Sequence, residues 1–358
     1  MSISDSQGQS KLKKIFGFLF PVILMFLLLY FAFRNTDFNE VLKIIKHISV
    51  FWLFVFIVIW FLSHVFRAYR WKVLIHSVKP DTSLINLLGA TFVGYTVNLV
   101  VPRLGELYRP LFLGRWEDIS RSSMIGTIIV ERVIDVLVLG ISVLISVVIY
   151  PGNLLEEFEW LKTTIVLGFA GIFAIIFFLI LLVKLKHKFY DVILKLVGKF
   201  SKGLAAKLTR IFDLLTEGFS TLKTPKDFAL TMILSVVIML LYASTSYFAF
   251  YMMRMNEIQE VTFAMAWIVM SISAFGIIIP TPGSIGSYHL ITISVLTVLF
   301  GFDNDISSAF AIVTHLVNSV MFVVVTVILS TIINKRQIRN GMPTTNFLSA
   351  FKMKEIKE

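Results

Sequence analysis

The chain has 358 residues, of which 57% are hydrophobic and only 15% charged, and its mean hydropathy is +0.85. Soluble domains carry about 25% charged residues, disordered chains combine low hydrophobicity with high net charge, and outer-membrane barrels alternate apolar and polar positions; the composition fits none of these and leaves an all-α polytopic helical membrane protein. The net charge of +11 is expected in cytoplasmic loops facing anionic lipid and implies no nucleic-acid partner, while the absence of cysteine excludes disulfides, a thiol nucleophile, iron–sulfur clusters and Cys-ligated zinc.

A membrane helix needs about 20 mainly apolar residues to cross a core of about 30 Å. In chain order, full spans are predicted over 15–33, 49–66, 124–149, 161–183, 229–252 and 307–333. The first is read as a retained helix, because Tyr30 to Asn35 offers no small-residue cleavage site. Two further apolar stretches are interrupted. One runs over 84–101, breaks at Pro102-Arg103-Leu104-Gly105-Glu106, and continues near Pro110 to Gly114. The other runs over 261–279, breaks at Pro280-Thr281-Pro282-Gly283, and resumes over 285–300. Between the fourth and fifth spans, residues 189–222 place apolar side chains at three-to-four spacing among lysines, the pattern of an amphipathic segment on the cytoplasmic leaflet. A disordered tail is expected from about residue 340.

Short cytoplasmic loops carry the Lys/Arg excess, and the basic segment 184–226 is therefore expected inside. Walking in both directions from it places Glu156, Glu157 and Glu159 outside, and Arg67, Arg70, Lys72, Arg109, Arg115, Arg121, Lys335, Arg336 and Arg339 inside. Both termini fall on the cytoplasmic side of the cytoplasmic membrane. The expected organisation is an N-terminal tail (1–10), a membrane domain (11–335) with inverted halves 11–149 and 161–335 around the 184–226 connector, and a tail (336–358). The fold so read has about six full spans plus two broken or re-entrant hairpins in an inverted repeat. Charge counting does not separate a re-entrant hairpin from two full spans joined by a short turn.

Ionisable residues inside a span are costly and are functional candidates. Glu131, Arg132 and Asp135 lie within the 124–149 span; Glu131 and Asp135 share a face, and Arg132 sits three before Asp135 and can pair with it. A structural ion pair and a polar cavity that attracts an anionic headgroup are both compatible with this pattern. The first breaker offers Asn98, Arg103, Glu106 and Arg109; if helical, the last three recur on one side, and arginine recognises phosphate bidentately. The second offers Pro280, Pro282, Gly283 and Gly286, whose permissive backbone exposes amides, with His289 beside them as a hydrogen-bonded residue at a helix start. Arg67, Arg70 and Trp71 read most simply as interfacial anchors, close enough to the first breaker to join headgroup capture. No P-loop, HExxH or GxSxG motif is present, and the six histidines lack ligand spacing. Neither a cofactor nor a metal is expected, and no catalytic residue is assigned.

Taken together, RAYRW (67–71), GYTVNLVVPRLGELYRP (94–110), ERVIDVL (131–137) and PTPGSIGSYH (280–289) resemble the membrane region of lysylphosphatidylglycerol synthases, a flippase-like family, over about residues 11–335. In fused members this region is associated with moving an aminoacylated lipid while a separate soluble domain makes it. By that resemblance Arg103, Glu106 and Arg109 match the Pro-x-x-Gly-Glu-x-x-Arg pattern, and Glu131, Arg132 and Asp135 match Glu-Arg-x-x-Asp. Where the family often has a second glycine and a glutamate around the last motif, this chain has Ser284 and His289, and the residues after 333 are too few for an aminoacyl-transferase domain. The expected function is translocation of an anionic lipid, either a phospholipid or a polyprenyl-phosphate-linked glycolipid, without ATP hydrolysis. The alternatives are a transferase acting on a lipid-phosphate and a non-catalytic membrane partner of a separate lipid synthase.

Overall fold

A computed structural model describes residues 19–76, 78–119, 121–168 (backbone only at 121–123) and 224–347, with isolated positions 170, 171, 173, 174, 177, 203 and 209. Every regular element among the described residues is helical. In chain order the α-helices with both ends described are α1 (Leu19–Phe33), α2 (Phe38–Lys46), α3 (Val50–Ile75), α4 (Leu84–Val100), α5 (Gly105–Glu117), α6 (Arg121–Ile149), the single turn α7 (Leu154–Glu157), α8 (Pro225–Met252), α9 (Phe263–Ile278), α10 (Ser287–Ser294) and α11 (Asn304–Arg339). Among the described residues five segments are long and apolar enough to cross a membrane, Val50–Ile75, Met124–Ile149, Pro225–Met252, Pro282–Leu299 and Asn304–Arg339, or six if the bent pair Leu19–Phe33 and Phe38–Lys46 is one span. Within hydrocarbon only helices and closed barrels satisfy the backbone internally; with helices alone among the described elements, the chain is a polytopic all-α membrane protein.

The chain forms two interleaved units. Unit 1 combines the described residues up to Trp60 with Phe92–Gly105 and Tyr242–Thr326; unit 2 combines Phe61–Thr91, the described part of Glu106–Leu241, and Val327 onward. Unit 1 contains an aromatic cluster. Trp60, Phe92 and Phe322 pack with ring centroids 5.2 to 6.1 Å apart, and Tyr95 stacks on Phe322 at 4.8 Å. In unit 2 the fully buried set includes Trp71, Phe112, Leu113 and Met124.

Both interrupted stretches are broken in the structure, each for a local reason. After α4 the chain turns through Val101–Leu104, with Arg103 left-handed at φ 63°. The Asn98 side chain then accepts the Gly105 N–H at 2.7 Å and starts α5. Position 105 must be glycine, because any Cβ there would overlap the Gly94 carbonyl oxygen. After α9, Pro280 and Pro282 remove donors, and Gly283, Ser284 and Gly286 take positive φ. Ser287 Oγ donates to the Gly276 carbonyl at 2.6 Å, which ties the start of α10 to α9.

Several boundaries correct the sequence reading. The 49–66 span is the 26-residue α3, reaching Ile75, so Arg67, Arg70 and Trp71 lie inside a helix and are buried against other helices; the hydropathy run stops at the first arginine, but the helix does not, and acids on another helix neutralise those charges. The first span is followed by an unforeseen amphipathic helix, α2, bent 83° from α1. Its cap, Asp37, accepts from Asn39 N–H at 2.8 Å. The expected 307–333 span runs over Asn304–Arg339. Residues 342–347, expected to be disordered, fold back: Met342 N–H bonds the Gln337 carbonyl at 2.9 Å, Thr345 N–H bonds Asn334 at 3.0 Å, and Phe347 packs on Phe112 at 5.4 Å. The end of the 161–183 span and all of the 189–222 segment but positions 203 and 209 lie outside the described residues.

Candidate functional site: a buried arginine–carboxylate cluster

Seven of the charged residues flagged by the sequence converge in unit 2. α3 supplies Arg67 and Arg70, which share a face at i,i+3; α5 supplies Glu106 and Arg109; α6 supplies Glu131, Arg132 and Asp135. Glu131 is the hub. Its Oε1 lies 2.9 Å from Arg67, 3.1 Å from Arg132 and 3.6 Å from Arg70, and its Oε2 accepts from Arg109 at 3.0 Å. Asp135 takes Arg70 on Oδ1 and Arg67 on Oδ2, with Arg132 also on Oδ2 at 2.9 Å. Arg132 reaches Glu106 at 3.4 Å.

Neutral side chains hold the guanidiniums in place. Arg70 donates to Ser235 Oγ on α8 at 2.9 Å, and Arg109 to Thr91 Oγ1 on α4 at 3.3 Å. Arg109 also lies 4.2 Å over the Trp71 ring, a cation–π contact strengthened by desolvation, while Trp71 Nε1–H donates to Thr127 Oγ1 at 3.0 Å. Sequence reasoning did not single out Thr91, Thr127 or Ser235; lone hydroxyls on apolar helices carry no pattern. Trp71 was visible, directly after Arg70.

The cluster has an open edge. Glu131 and Arg70 are fully buried, whereas the side chains of Asp135, Glu106 and Arg132 are 18%, 31% and 37% exposed. Four guanidiniums face three carboxylates, leaving one positive charge in excess. The three α5 candidates do not form one stripe, because Arg103 stands outside the helix in the left-handed turn.

The remaining candidates gather in unit 1, where the two breakers touch. Arg103 donates to the Ile278 carbonyl at 3.1 Å, and a Cβ on Gly283 would lie 3.3 Å from the Leu99 carbonyl oxygen. Asn98 serves α5 as described, and Pro280 precedes the 3-10 turn Pro282–Ser284. Gly286 N–H donates to His289 Nδ1 at 3.4 Å. The His289 ring sits 4.8 Å from His315, whose Nε2 hydrogen-bonds the Gly283 carbonyl at 2.8 Å. His289 is thus a hydrogen-bonded residue at a helix start, and His315, which the sequence did not mark, is its neighbour. Among the described residues no group of His, Cys, Asp and Glu could hold a metal.

Comparison with known proteins places this chain in a family. A UPF0104 membrane protein from Methanocaldococcus jannaschii is 21% identical over 212 residues, covering 57% of this chain and 60% of the relative; the chain thus spans about three-fifths of that relative's length. No solved structure matches. The family described as the lysylphosphatidylglycerol synthase TM region matches residues 18–326, which include every residue of the cluster and both breakers, and the chain belongs to that family.

Proposed function

We propose that this protein moves an anionic lipid, a phospholipid or a polyprenyl-phosphate-linked glycolipid, between the leaflets of the cytoplasmic membrane without ATP hydrolysis. One observation carries the reading: the cluster in unit 2 holds one guanidinium more than its carboxylates balance, and Arg132 stands at its accessible edge. An uncompensated charge at membrane depth is expensive, and a lipid phosphate docking on Arg132 supplies the missing anion through a charge-assisted, forked contact. Glu106, on the same edge, has an Oε2 with no hydrogen-bond partner and suits an amine or hydroxyl on the headgroup. Glu131 and Asp135 are engaged on both oxygens by arginine, which favours transport over general-base chemistry.

The test is leaflet exchange in proteoliposomes carrying headgroup-labelled phosphatidylglycerol, its lysyl form, or a short polyprenyl-phosphate sugar, followed by mass spectrometry of the recovered lipid. Wild-type protein is expected to accelerate exchange of at least one of them with unchanged mass, and Arg132→Gln to slow it at least about tenfold, the loss of one charge-assisted contact. Exchange equal to that of empty vesicles would refute the reading. A new lipid mass without exchange would replace it with a transferase.

A further inference from the structure

A second polar site lies in unit 2, where α3, α5 and α11 end. It is a cleft of about 340 Å³, within the size range of small-ligand pockets. One wall is fixed: Glu117 Oε2 lies 2.9 Å from Lys79 Nζ, and its Oε1 accepts from Ser83 N–H at 3.0 Å and Asn86 Nδ2 at 2.7 Å. Glu117 is therefore fully used, and the Lys79 charge is matched.

Three lining groups are not used. Arg336 and Asp118 are exposed and, among the described residues, neither forms an ion pair. Gln337 is buried, with 5% exposure; its Nε2 donates to the Trp116 carbonyl at 2.8 Å, which fixes the amide orientation, and its Oε1 has no partner. One cleft thus presents a free cation, a free carboxylate and an orphaned amide oxygen. We infer that it binds a zwitterionic phosphate–amine headgroup, the phosphate on Arg336 and the ammonium on Asp118 and Gln337 Oε1.

The charge balance selects this chemistry. A net-anionic headgroup leaves Asp118 without a cation, and a net-cationic one leaves Arg336 without an anion. The depth agrees. α11 has 36 residues, about 54 Å at 1.5 Å per residue, well beyond a hydrocarbon core of about 30 Å, and its basic last turns with Trp116 beside them have the composition of a membrane–water interface. Ile333 and Met342 complete the lining with apolar surface for the glycerol and upper acyl carbons.

The test is native mass spectrometry of the delipidated, detergent-solubilised full chain titrated with dioleoyl phosphatidylethanolamine or dioleoyl phosphatidylglycerol. Phosphatidylethanolamine is expected to be retained about fivefold better, the size of one exposed charge contact. Asp118→Asn should abolish that preference, Arg336→Gln should lower retention of both lipids while Arg336→Lys keeps it, and Arg132→Gln in the buried cluster should not reduce the preference, so this site and the transport reading fail separately. Competition by glycerophosphoethanolamine would identify a soluble headgroup as sufficient; its absence would identify the intact lipid. Equal retention of the two lipids, a preference unchanged in Asp118→Asn, or retention of both lipids unchanged in Arg336→Gln, overturns the inference.

Discussion

At the scale of single residues, Glu131 and Arg132 are neighbours in sequence with opposite expected consequences. Glu131 is buried under four arginines, and Glu131→Gln would leave Arg67 and Arg109 desolvated and under-compensated. Breaking a buried pair from one side costs about 3–5 kcal/mol, so this variant is expected to melt at markedly lower temperature in detergent; an unchanged melting temperature would mean the cluster is hydrated throughout. Arg132→Gln removes the more exposed partner and evens the charge count, so its melting temperature should stay close to wild type while exchange is lost. Trp71→Phe keeps the ring under Arg109 but removes the donor to Thr127; a loss of about 1 kcal/mol is expected. The Glu-Arg-x-x-Asp run was legible because charge in an apolar span is conspicuous. The partners in RAYRW were equally visible, but their pairing was not, because hydropathy counts each arginine as an end of the membrane and cannot see that a carboxylate from another helix cancels it.

At the scale of elements, the two breakers were readable from Pro and Gly alone, since those residues act through their own backbone. The contacts that make particular glycines necessary were not readable. Gly286 has φ 85°, and a Cβ there would lie 2.6 Å from the Met25 carbonyl oxygen on α1; Gly301 has φ 67° with nothing within 4 Å of its Cβ position. Gly286→Ala therefore adds a steric clash to the conformational strain, whereas Gly301→Ala meets the strain alone. A left-handed non-glycine residue costs about 1–3 kcal/mol, and thermal melts should place Gly286→Ala well below Gly301→Ala. Equal melts would mean that α1 gives way. The helix α2 escaped the sequence reading for a different reason: it is short, and its FNEVLKIIK pattern lacks the apolar run that marks a span, although its Asp37 cap was present.

At the scale of the whole molecule, charge is the only feature of the sequence that speaks to orientation, and it is unevenly placed. Glu156, Glu157 and Glu159 follow α6, whereas Lys335, Arg336 and Arg339 close α11 and Lys72 closes α3. Cytoplasmic loops hold the Lys/Arg excess, so the acidic loop is expected outside and the end of α11 inside. The interleaving of the two units was not legible at all, because pairings such as Thr96 with Thr326, at 2.8 Å, join residues that no local pattern relates. Orientation is directly measurable, since the chain has no native cysteine and both Asn153 and Asn340 are exposed. Asn153→Cys should react with an impermeant maleimide in intact cells, and Asn340→Cys only after permeabilisation. The opposite pattern would place the Arg336–Asp118 cleft in the outer leaflet and require its lipid to be supplied there, while reaction of both in intact cells would mean that α11 does not return to the cytoplasm and that the charge-based topology is wrong from α8 onward.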